Sequence, residues 1–414
     1  MQKLAIIGTG IAGMGCAHLL KDKFDISLFE QNDYVGGHTN TLEVDEDGKS
    51  VYMDTGFMVF NFETYPNLCK LFEEIKAPIK KTEMSFSVQH VPSGLEYCGS
   101  GINGLFAQRK NIFSFKYIKM LMQISKFNKI SVDIIDDPSY QNYSLRKYMD
   151  EFGFGDEMLW KYLIPMSSAV WSTPMEKMLD FPVITLIRFF KNHGFLGLDT
   201  QHQWYTLQNG SQAYREILIK SFKDNIHINK KVTGLTRSKS GVTLKFNQGP
   251  EQIFDKVICA SHANQTLSFL SDASSIETEL LAPFKYERNM ATVHTDESVM
   301  PKNKKTWSSW NYKIEQRNNT LLPSTIYWMN SLQGVSDKKN YFVSINAIEG
   351  SIDKSKLIKQ IDYEHPLFDV KAMMAQEKLS ELNKSGPVYF CGSYFKYGFH
   401  EDAYESAVEL CKVL

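Results

Sequence analysis

The stretch LAIIGTGIAGMGCAHLL, residues 4–20, constrains the fold more than any other part of the chain. Its apolar run at 4–7 predicts a strand buried on both faces, and 11–20 predicts a helix. Between them, Gly8, Gly10 and Gly13 stand at the GxGxxG spacing. Gly8 permits the tight turn, Gly10 lets the backbone approach a pyrophosphate, and Gly13 allows the helix to pack closely on the strand. The stretch therefore predicts a strand–turn–helix unit whose helix N-terminus binds a dinucleotide.

The residues that follow indicate which dinucleotide is bound. The run DISLFE predicts a second strand that ends in Glu30, 22 residues after Gly8, where a carboxylate binds a ribose hydroxyl. QNDYVGGHTNT comes next, and its Gly36 and Gly37 let a second loop approach the same pyrophosphate. This second glycine pair is typical of a long, permanently held nucleotide such as a flavin. MDTGFMVFN then supplies a loop, containing Gly56, that continues along the cofactor.

Taken in order, GxGxxG, the acid, GG and D-x-G resemble the flavoprotein superfamily of monoamine oxidases, polyamine oxidases and phytoene-type desaturases. More closely, GGHTNT, DTGFMVFN, TYPNL, MSFSV, LIPMSSAVWS, SSWNY and GFHED are similar to a bacterial branch of NAD/FAD-binding, amine-oxidase-like proteins. Members of that branch are often found beside cyclopropane-fatty-acid-synthase-like enzymes. The resemblance covers essentially the whole chain.

The resemblance implies an α/β fold in which a Rossmann-like FAD-binding domain of the monoamine-oxidase type is interleaved with a substrate-binding domain. The FAD-binding domain is predicted to comprise residues 1–80, 201–285 and 376–414, and the substrate domain residues 81–200 and 286–375. Apolar runs predict further strands of the FAD-binding domain at 256–260 and 388–391. A last helix is predicted to start near Asp402, with its N-terminal dipole next to the flavin.

The motifs and the resemblance together predict the residues that contact FAD. These are Gly8, Gly10, Ile11, Ala12, Gly13, Glu30, Gln31, Gly36, Gly37, His38, Thr39, Gly56, Phe57, Met58, Val59, Val232, Ala260, Gly392, Ser393, His400, Glu401 and Ala403. His38 stands where the family has an arginine, so a permanent charge near the phosphates is lost. Glu401 has the alternative role of an acid at the start of a helix. Cys391 does not match the cysteine that binds flavin covalently in some relatives, and we therefore expect non-covalent FAD.

The residues predicted to act on the substrate lie mostly among the aromatic side chains. His400, Tyr397 and Phe399 are the candidates for catalysis, with His400 acting through either its side chain or its backbone. The substrate candidates are Trp171, His193, Trp310, Tyr327 and Tyr394, together with Trp204. Each of these aromatic residues alone is more often a packed core residue, but so many of them suggest a long apolar cavity.

Two departures from the family pattern weaken the interpretation as an amine oxidase. The resemblance implies a cage of two tyrosines for the amine, and Phe399 stands at one matching position. It also implies a lysine near the flavin, and Arg288 and Asn289 stand in that region instead.

Composition excludes several other classes of protein. With 46 basic and 47 acidic side chains the net charge is −1, which argues against nucleic acid as a partner. The six cysteines are scattered without metal-ligand or disulfide spacing, so no metal is predicted. The sequence has no signal peptide at its start and no apolar run of roughly 18 residues. The expected location is the cytoplasm, with contact to the inner face of the membrane as an option.

Residues 106–130 are the candidate for such a contact. Six basic side chains and no acid occur between Tyr97 and Val132, and the lysines at 116, 119, 126 and 129 fall on one helical arc. A core helix with a solvated lysine face explains this pattern, and so does an interfacial helix on anionic lipid.

The sequence thus predicts an FAD-dependent oxidoreductase, an oxidase or desaturase, that removes hydride from a hydrophobic substrate. The branch resemblance suggests a fatty-acyl or lipid-linked substrate. The alternatives are an amine oxidase that releases peroxide and a carotenoid- or terpenoid-type desaturase or isomerase. A non-enzymatic alternative is a flavin-bearing partner of a lipid-modifying enzyme.

Overall fold

Strands and helices alternate near both ends of the chain, with a long helical stretch between them. The computed structural model describes residues 1–197 and 202–414. The strands are β1 (Lys3–Ile7), β2 (Asp25–Phe29), β3 (Thr41–Glu46), β4 (Lys49–Asp54), β5 (Phe60–Asn61), β6 (Ile79–Thr82), β7 (Phe86–His90), β8 (Leu95–Cys98), β9 (Trp204–Leu207), β10 (Ile226–His227), β11 (Val232–Ser238), β12 (Gly241–Phe246), β13 (Gln252–Phe254), β14 (Lys256–Cys259), β15 (Lys285–His294), β16 (Trp310–Arg317), β17 (Thr320–Trp328), β18 (Phe342–Ile345), β19 (Leu357–Leu367) and β20 (Val388–Phe390). The α-helices are α1 (Ile11–Leu20), α2 (Pro66–Glu74), α3 (Gly101–Leu105), α4 (Phe115–Ile130), α5 (Leu145–Glu151), α6 (Asp156–Met158), α7 (Ile164–Trp171), α8 (Val183–Asn192), α9 (Gln212–Ile219), α10 (Ala263–Phe269), α11 (Ser275–Leu281), α12 (Met329–Gln333), α13 (Val370–Gln376) and α14 (His400–Cys411).

A five-stranded parallel sheet brings the two ends of the chain together. Its order is β10-β2-β1-β14-β20, and every neighbouring pair is parallel. Leu4, Ala5 and Ile6 in the central strand β1 have no exposed surface, as expected of a strand covered on both faces. Helix α1 packs against α14, so the first and last helices lie side by side. The mixed α/β fold predicted from the sequence is confirmed.

A seven-stranded mixed sheet forms the other half of the molecule. Its order is β19-β15-β18-β17-β16-β7-β8, in which β7 and β16 are parallel and the other pairs antiparallel. Its strands come from chain segments 86–98 and 285–367, on either side of strands that belong to the nucleotide half. The two halves are therefore interleaved along the chain. Strand β6 spans the predicted boundary at residue 80 and pairs with β9.

Helices α4 to α8 lie beside this sheet and share one apolar core with it. Side chains of that core include Tyr117, Phe127, Tyr148, Leu163, Trp171, Phe190 and Tyr312. Among the described helices we find none with both the length and the apolar character needed to traverse a bilayer.

Candidate active site

One cavity of about 860 Å³ extends from the parallel sheet into the aromatic side chains of the substrate half. This volume lies in the range of small-molecule and cofactor sites. Most of the predicted site residues line it: Gly8, Gly10, Ile11, Ala12, Glu30, Gln31, Gly37, His38, Gly56, Phe57, Met58, Val59, Val232, Ala260, Gly392, Ser393, His400, Ala403, Trp171, His193, Trp204, Trp310, Tyr327, Tyr394, Tyr397 and Phe399. Gly13, Gly36, Thr39 and Glu401 do not line the cavity. The structure thus gathers residues from the whole chain around one space.

The glycine turn after β1 has the geometry that a pyrophosphate requires. Gly8 adopts φ +102°, which favours glycine, and its N–H donates to the carbonyl of Phe29 at 2.8 Å. A Cβ on Gly13 would lie 2.0 Å from the carbonyl oxygen of Gly8, so glycine is needed at this position for the close packing of α1 on the turn. A Cβ on Gly10 would meet no protein atom within 4 Å, because Gly10 faces the cavity. The residue at this position therefore decides how closely a ligand approaches.

The second glycine pair meets the first glycine turn. A Cβ on Gly37 would lie 3.3 Å from the Cα of Gly10, which places the two loops side by side at the cavity. Gly36 is turned inward, with φ +126°, and its N–H donates to Oγ1 of Thr9 at 3.3 Å. Gly36 therefore shapes the turn that presents Gly37 to the cavity, and its own contact with the cofactor stays a prediction.

Glu30 lies at the end of β2 with its carboxylate at the cavity wall. Its Oε2 accepts hydrogen bonds from the N–H and the hydroxyl of Thr9, at 3.1 and 2.6 Å, and its Oε1 accepts one from the N–H of Asn32 at 3.0 Å. Val232 at the start of β11 lines the same end of the cavity, beside Lys230, which the sequence analysis did not identify. These positions fit the adenosine half of FAD.

Helix α14 starts at His400, two residues before the predicted start at Asp402. The reason is the Asp402 carboxylate, which accepts hydrogen bonds from the N–H groups of Phe399 at 2.8 Å and Tyr397 at 3.1 Å and so holds the chain entering the helix. Burial raises the pKa of Asp402 to about 7. The first turn of α14 faces the cavity through His400 and Ala403.

His400 is held by protein partners on its side chain. Its ring stacks on Phe57 with centroids 3.9 Å apart and planes within 7°. Its Nε2 lies 2.7 Å from the hydroxyl of Tyr214 and 3.2 Å from Oγ1 of Thr39. Burial lowers the pKa of His400 to about 3, so the ring is neutral. Nε2 is thus engaged by protein groups at the start of α14, and a catalytic role of His400 stays a prediction.

Two of the predicted cofactor residues, Thr39 and Glu401, form hydrogen bonds with protein groups around the site. Thr39 does not line the cavity, because its hydroxyl is directed to Tyr214 and His400. The Glu401 carboxylate accepts hydrogen bonds from the N–H groups of Asn67 and Leu68, both at 2.9 Å, at the start of α2. Neither residue lines the cavity, and the contact of each with FAD stays a prediction. Glu401 is an acid at a helix start, as the alternative proposed: it lies in the first turn of α14, and its carboxylate also caps the start of α2.

The far end of the cavity is walled by aromatic rings. Phe399 stacks on Phe189 at 5.0 Å, and Trp171 lies 4.7 Å from Phe189. Indole Nε1 of Trp171 donates to the carbonyl of Tyr397 at 3.2 Å, which joins α7 to the chain before α14. His193 stacks on Phe189 at 3.8 Å and its Nδ1 donates to the Phe189 carbonyl at 2.9 Å. Burial lowers the pKa of His193 to about 4, so this wall carries no charge.

Trp310 and Tyr327 form a second wall as directly paired residues of β16 and β17, with ring centroids 5.5 Å apart. Indole Nε1 of Trp310, the hydroxyl of Tyr394 and Nε2 of His38 are buried and have no hydrogen-bond partner among the described residues. Buried polar groups are rarely left unpaired, and these three line the cavity. Together with the glycine cradle at Gly10, they fit a site that binds a polar, ring-containing group such as FAD.

A histidine cluster at the cavity was not found from the sequence. His38 stacks on Tyr363 at 4.7 Å and lies 5.0 Å from the ring of His365. Asn289 donates to Nδ1 of His365 at 2.9 Å, which puts the proton of that ring on Nε2. Burial lowers the pKa of His365 to about 4 and also lowers the pKa of His38. Because β19 lies more than 300 residues from His38, no local pattern could indicate the cluster.

Arg288 and Asn289 stand in the region where the resemblance implied a lysine, and an acid neutralises the charge of Arg288. The guanidinium of Arg288 pairs with Asp362 at 2.5 Å at the cavity wall, and the adjacent Asn289 contacts His365.

All six cysteines are buried, and none lines the cavity. Within residues 1–197 and 202–414 no group of three or more His, Cys, Asp or Glu side chains has the arrangement of a metal site.

Comparisons with known proteins agree with this arrangement. The model of the family "Flavin containing amine oxidoreductase" matches residues 11–286. The chain is 26% identical over 276 residues to a 1-hydroxycarotenoid 3,4-desaturase from a Flavobacterium species, covering 58% of this chain and 54% of that protein. It is 38% identical over 75 residues to a 15-cis-phytoene desaturase from Synechococcus elongatus, covering 18% of this chain and 15% of the relative. The chain thus spans about half or less of the curated relatives it matches.

Solved structures share the fold over nearly the whole chain. Putrescine oxidase bound to putrescine superposes with a TM-score of 0.69 at 14% identity, covering 99% of this chain and 98% of that one. A CLA-producing fatty acid isomerase from P. acnes superposes with a TM-score of 0.70 at 14% identity and the same coverage. These similarities concern the fold alone.

The fold and the cavity define a flavoprotein in which a glycine turn for a dinucleotide lies at one end of the cavity and aromatic side chains lie at the other. The chain belongs to the family of flavin-containing amine oxidoreductases. FAD is thereby confirmed as the cofactor, and flavin-dependent oxidoreductases are confirmed as the class of protein.

Proposed function

We propose that this protein is an FAD-dependent oxidoreductase that removes a hydride from a hydrophobic substrate of the fatty-acyl or lipid-linked class. The observation that carries the proposal is the uncharged aromatic end of the cavity, formed around Trp171, Phe189 and Phe399. Transfer of a long apolar chain from water to such a surface lowers the free energy of the system. The names of the two relatives, a carotenoid desaturase and a fatty acid isomerase, support a long apolar substrate.

The carboxylates of the described cavity wall support a neutral substrate. Glu30 is bonded to Thr9, Asp362 pairs with Arg288, and Glu364 lies 3.5 Å from a ring nitrogen of His262. Each of these acids already has a protein partner, and the acceptor position left on Glu30 lies at the adenosine end of the cavity and not at the aromatic end. A cationic amine would lose its hydration at the aromatic end without a carboxylate in return.

The side chains that line the cavity would position the substrate and exclude water from it. Bound FAD would accept the hydride, and the substrate would release a proton to solvent. The rings of Phe399 and Trp171 would hold the reacting carbon in place, since hydride transfer depends on close approach. His193 would accept a hydrogen bond at Nε2, because its Nδ1 already donates to a carbonyl.

Oxidation of an amine is the second candidate function. It is favoured by the family description and by the fold shared with putrescine oxidase. Aromatic rings also bind ammonium groups through their faces, so the wall itself does not exclude amines.

Anaerobic reduction of the bound flavin distinguishes the candidates. The holoprotein is mixed with unsaturated fatty acids, acyl phospholipids and carotenoids, and separately with alkylamines and diamines of matched chain length. We expect flavin bleaching with an apolar substrate and a product change visible by mass spectrometry. Bleaching by amines alone, with peroxide released on admitting oxygen, would overturn the proposal. Reduction by none of them would favour the non-enzymatic flavin-bearing partner.

Phe399→Ala tests the role of the aromatic wall. We expect it to raise the substrate concentration for half-maximal bleaching at least tenfold while the flavin spectrum stays unchanged. Phe62→Ala, at an exposed ring outside the cavity, is the matched control. Equal effects of the two substitutions would contradict the assignment.

A further inference from the structure

Four of the five most exposed large apolar side chains among the described residues occur on one short stretch of the chain. Phe113, Phe115, Ile102 and Met122 are 90%, 81%, 76% and 68% exposed. Among residues 1–197 and 202–414, Met1 is the only other large apolar side chain that is more than two-thirds exposed. Clustered apolar side chains of this kind mark an interaction surface.

The packing of α4 explains why two of these side chains, Phe115 and Met122, point outward. The face of α4 that enters the core carries Tyr117, Met120 and Phe127. At 3.6 residues per turn, Phe115, Lys119 and Met122 then share the opposite face, and all three are exposed. Phe115 and Met122 are therefore presented by a helix that packs on the core, and Phe113 lies in the short helical turn Arg109–Phe113 directly before it.

Positive charge surrounds the apolar side chains. Arg109, Lys110, Lys116 and Lys119 are exposed, and no Asp or Glu occurs between residues 97 and 132. The ion pairs found among the described residues include none of these four cations. The rest of the chain compensates this charge, because the net charge of the whole sequence is −1. The combination of exposed phenylalanines and unpaired cations complements an anionic bilayer surface.

We propose that residues 101–122, the basic apolar surface, dock the protein on membranes that contain anionic lipid. The phenylalanines at 113 and 115 enter the headgroup region, and the cations at 109, 110, 116 and 119 contact lipid phosphates. Helix α4 packs against α6, which leads through Leu159–Leu163 into α7, where Val170 and Trp171 line the cavity. Docking therefore places the substrate half of the molecule at the bilayer. Delivery of a lipid substrate there rests on the proposed function, whereas docking itself does not.

Vesicle flotation of the full-length holoprotein tests the proposal. The vesicles are phosphatidylcholine alone and phosphatidylcholine mixed with phosphatidylglycerol. We expect recovery with the anionic vesicles at low salt, at least tenfold less with neutral vesicles, and release by salt. Phe113→Ser/Phe115→Ser and Lys116→Glu/Lys119→Glu should each reduce recovery at least tenfold.

Matched controls carry the same chemical changes elsewhere on the surface. Lys70→Glu/Lys220→Glu reverses two exposed lysines, and Ile253→Ser removes a half-exposed apolar side chain. Both controls should float like the wild type. The flavin spectrum and the thermal midpoint show that each variant is folded.

Three results would overturn the proposal. These are equal recovery with neutral and anionic vesicles, equal losses in the control variants, and no flotation at all. Sedimentation velocity on the same proteins identifies the alternative in which the surface joins two copies of the chain: a dimer that Phe113→Ser/Phe115→Ser dissociates, without vesicle binding. Since flotation measures binding only, failure of the lipid substrates in the bleaching experiment would leave this test unaffected.

Discussion

Oγ1 of Thr9 donates a 2.6 Å hydrogen bond to the carboxylate of Glu30, and this contact joins the glycine turn after β1 to the end of β2. The N–H groups of Thr9 and Asn32 also donate to Glu30. An ionised carboxylate has about four acceptor positions, so three protein donors leave one for a ligand. The contact therefore orients the carboxylate and keeps it able to accept a hydrogen bond from a ribose hydroxyl.

Glu30→Gln should weaken FAD binding. A hydrogen bond to a charged group contributes about 1.5–3 kcal/mol, so we expect the Kd for FAD to rise roughly ten- to hundredfold. Quenching of flavin fluorescence during titration of the apoprotein measures this Kd. Glu73→Gln, at an exposed site on α2, is the matched control and should leave it unchanged. An unaltered Kd in Glu30→Gln would contradict the assignment of the ribose site.

Gly10→Ala and Gly13→Ala should have different effects, although the two residues are neighbours in one motif. Gly10 has φ −62° and ψ 176°, which alanine adopts readily, and its Cβ would project into the cavity. We expect Gly10→Ala to fold with a normal urea midpoint and to lose most of its FAD affinity. Gly13→Ala would bring a Cβ within 2.0 Å of a backbone oxygen, so we expect lower stability or insoluble protein. Normal flavin binding in Gly10→Ala would show that the pyrophosphate lies elsewhere.

Glu401→Ala should lower stability without changing the flavin site. The substitution leaves the N–H groups of Asn67 and Leu68 without their acceptor, and loss of such a cap costs about 0.5–2 kcal/mol. Urea unfolding measures this loss, and the Kd for FAD should stay within about twofold of the wild-type value. Glu401→Gln, which keeps an acceptor oxygen, should lose less. Weaker FAD binding at unchanged stability would contradict this and would show that Glu401 belongs to the cofactor site.

Buried histidines should make stability fall in mild acid. Burial lowers the pKa of His193 and of His294 to about 4, below the value of about 6.5 for an unfolded chain. Between about pH 4 and 6.5 the unfolded state therefore binds more protons, so the stabilisation is complete above about pH 6.5 and is lost as the pH falls. We expect a loss of roughly 2 kcal/mol for each histidine by pH 5.

Urea unfolding between pH 5 and pH 8 measures this dependence. His294→Gln removes one titrating group whose ring contacts Ser344 and the N–H of Asp296, and it should flatten the pH dependence in this window. Asp296, whose pKa is lowered by hydrogen bonds to the N–H groups of Asp353 and Ser298, acts only at lower pH. An identical slope in His294→Gln and wild type would contradict the prediction.

FAD binding is also predicted to be non-covalent. Acid precipitation of the holoprotein should leave the yellow cofactor in the supernatant, where mass spectrometry should find unmodified FAD. Flavin retained in the pellet after washing would indicate a covalent bond.

The sequence by itself determined the nucleotide half of the site. The strand at 4–7, the helix at 11–20 and the acid at Glu30 are encoded by consecutive residues, because apolar runs and glycine spacing act over a few positions. The aromatic residues Trp171 and Trp310 could be named as candidates, but the sequence alone did not show that they line the same cavity.

Only the tertiary structure decided which side chains meet. The partners of Glu401 on α2 precede it by more than 330 residues, and His38 meets Tyr363 and His365 from the opposite end of the chain. The exposure of Phe115 and Met122 likewise depends on which face of α4 enters the core. Contacts between distant segments leave no local pattern, since the free energy of burial depends on the surfaces that meet and not on their order along the chain.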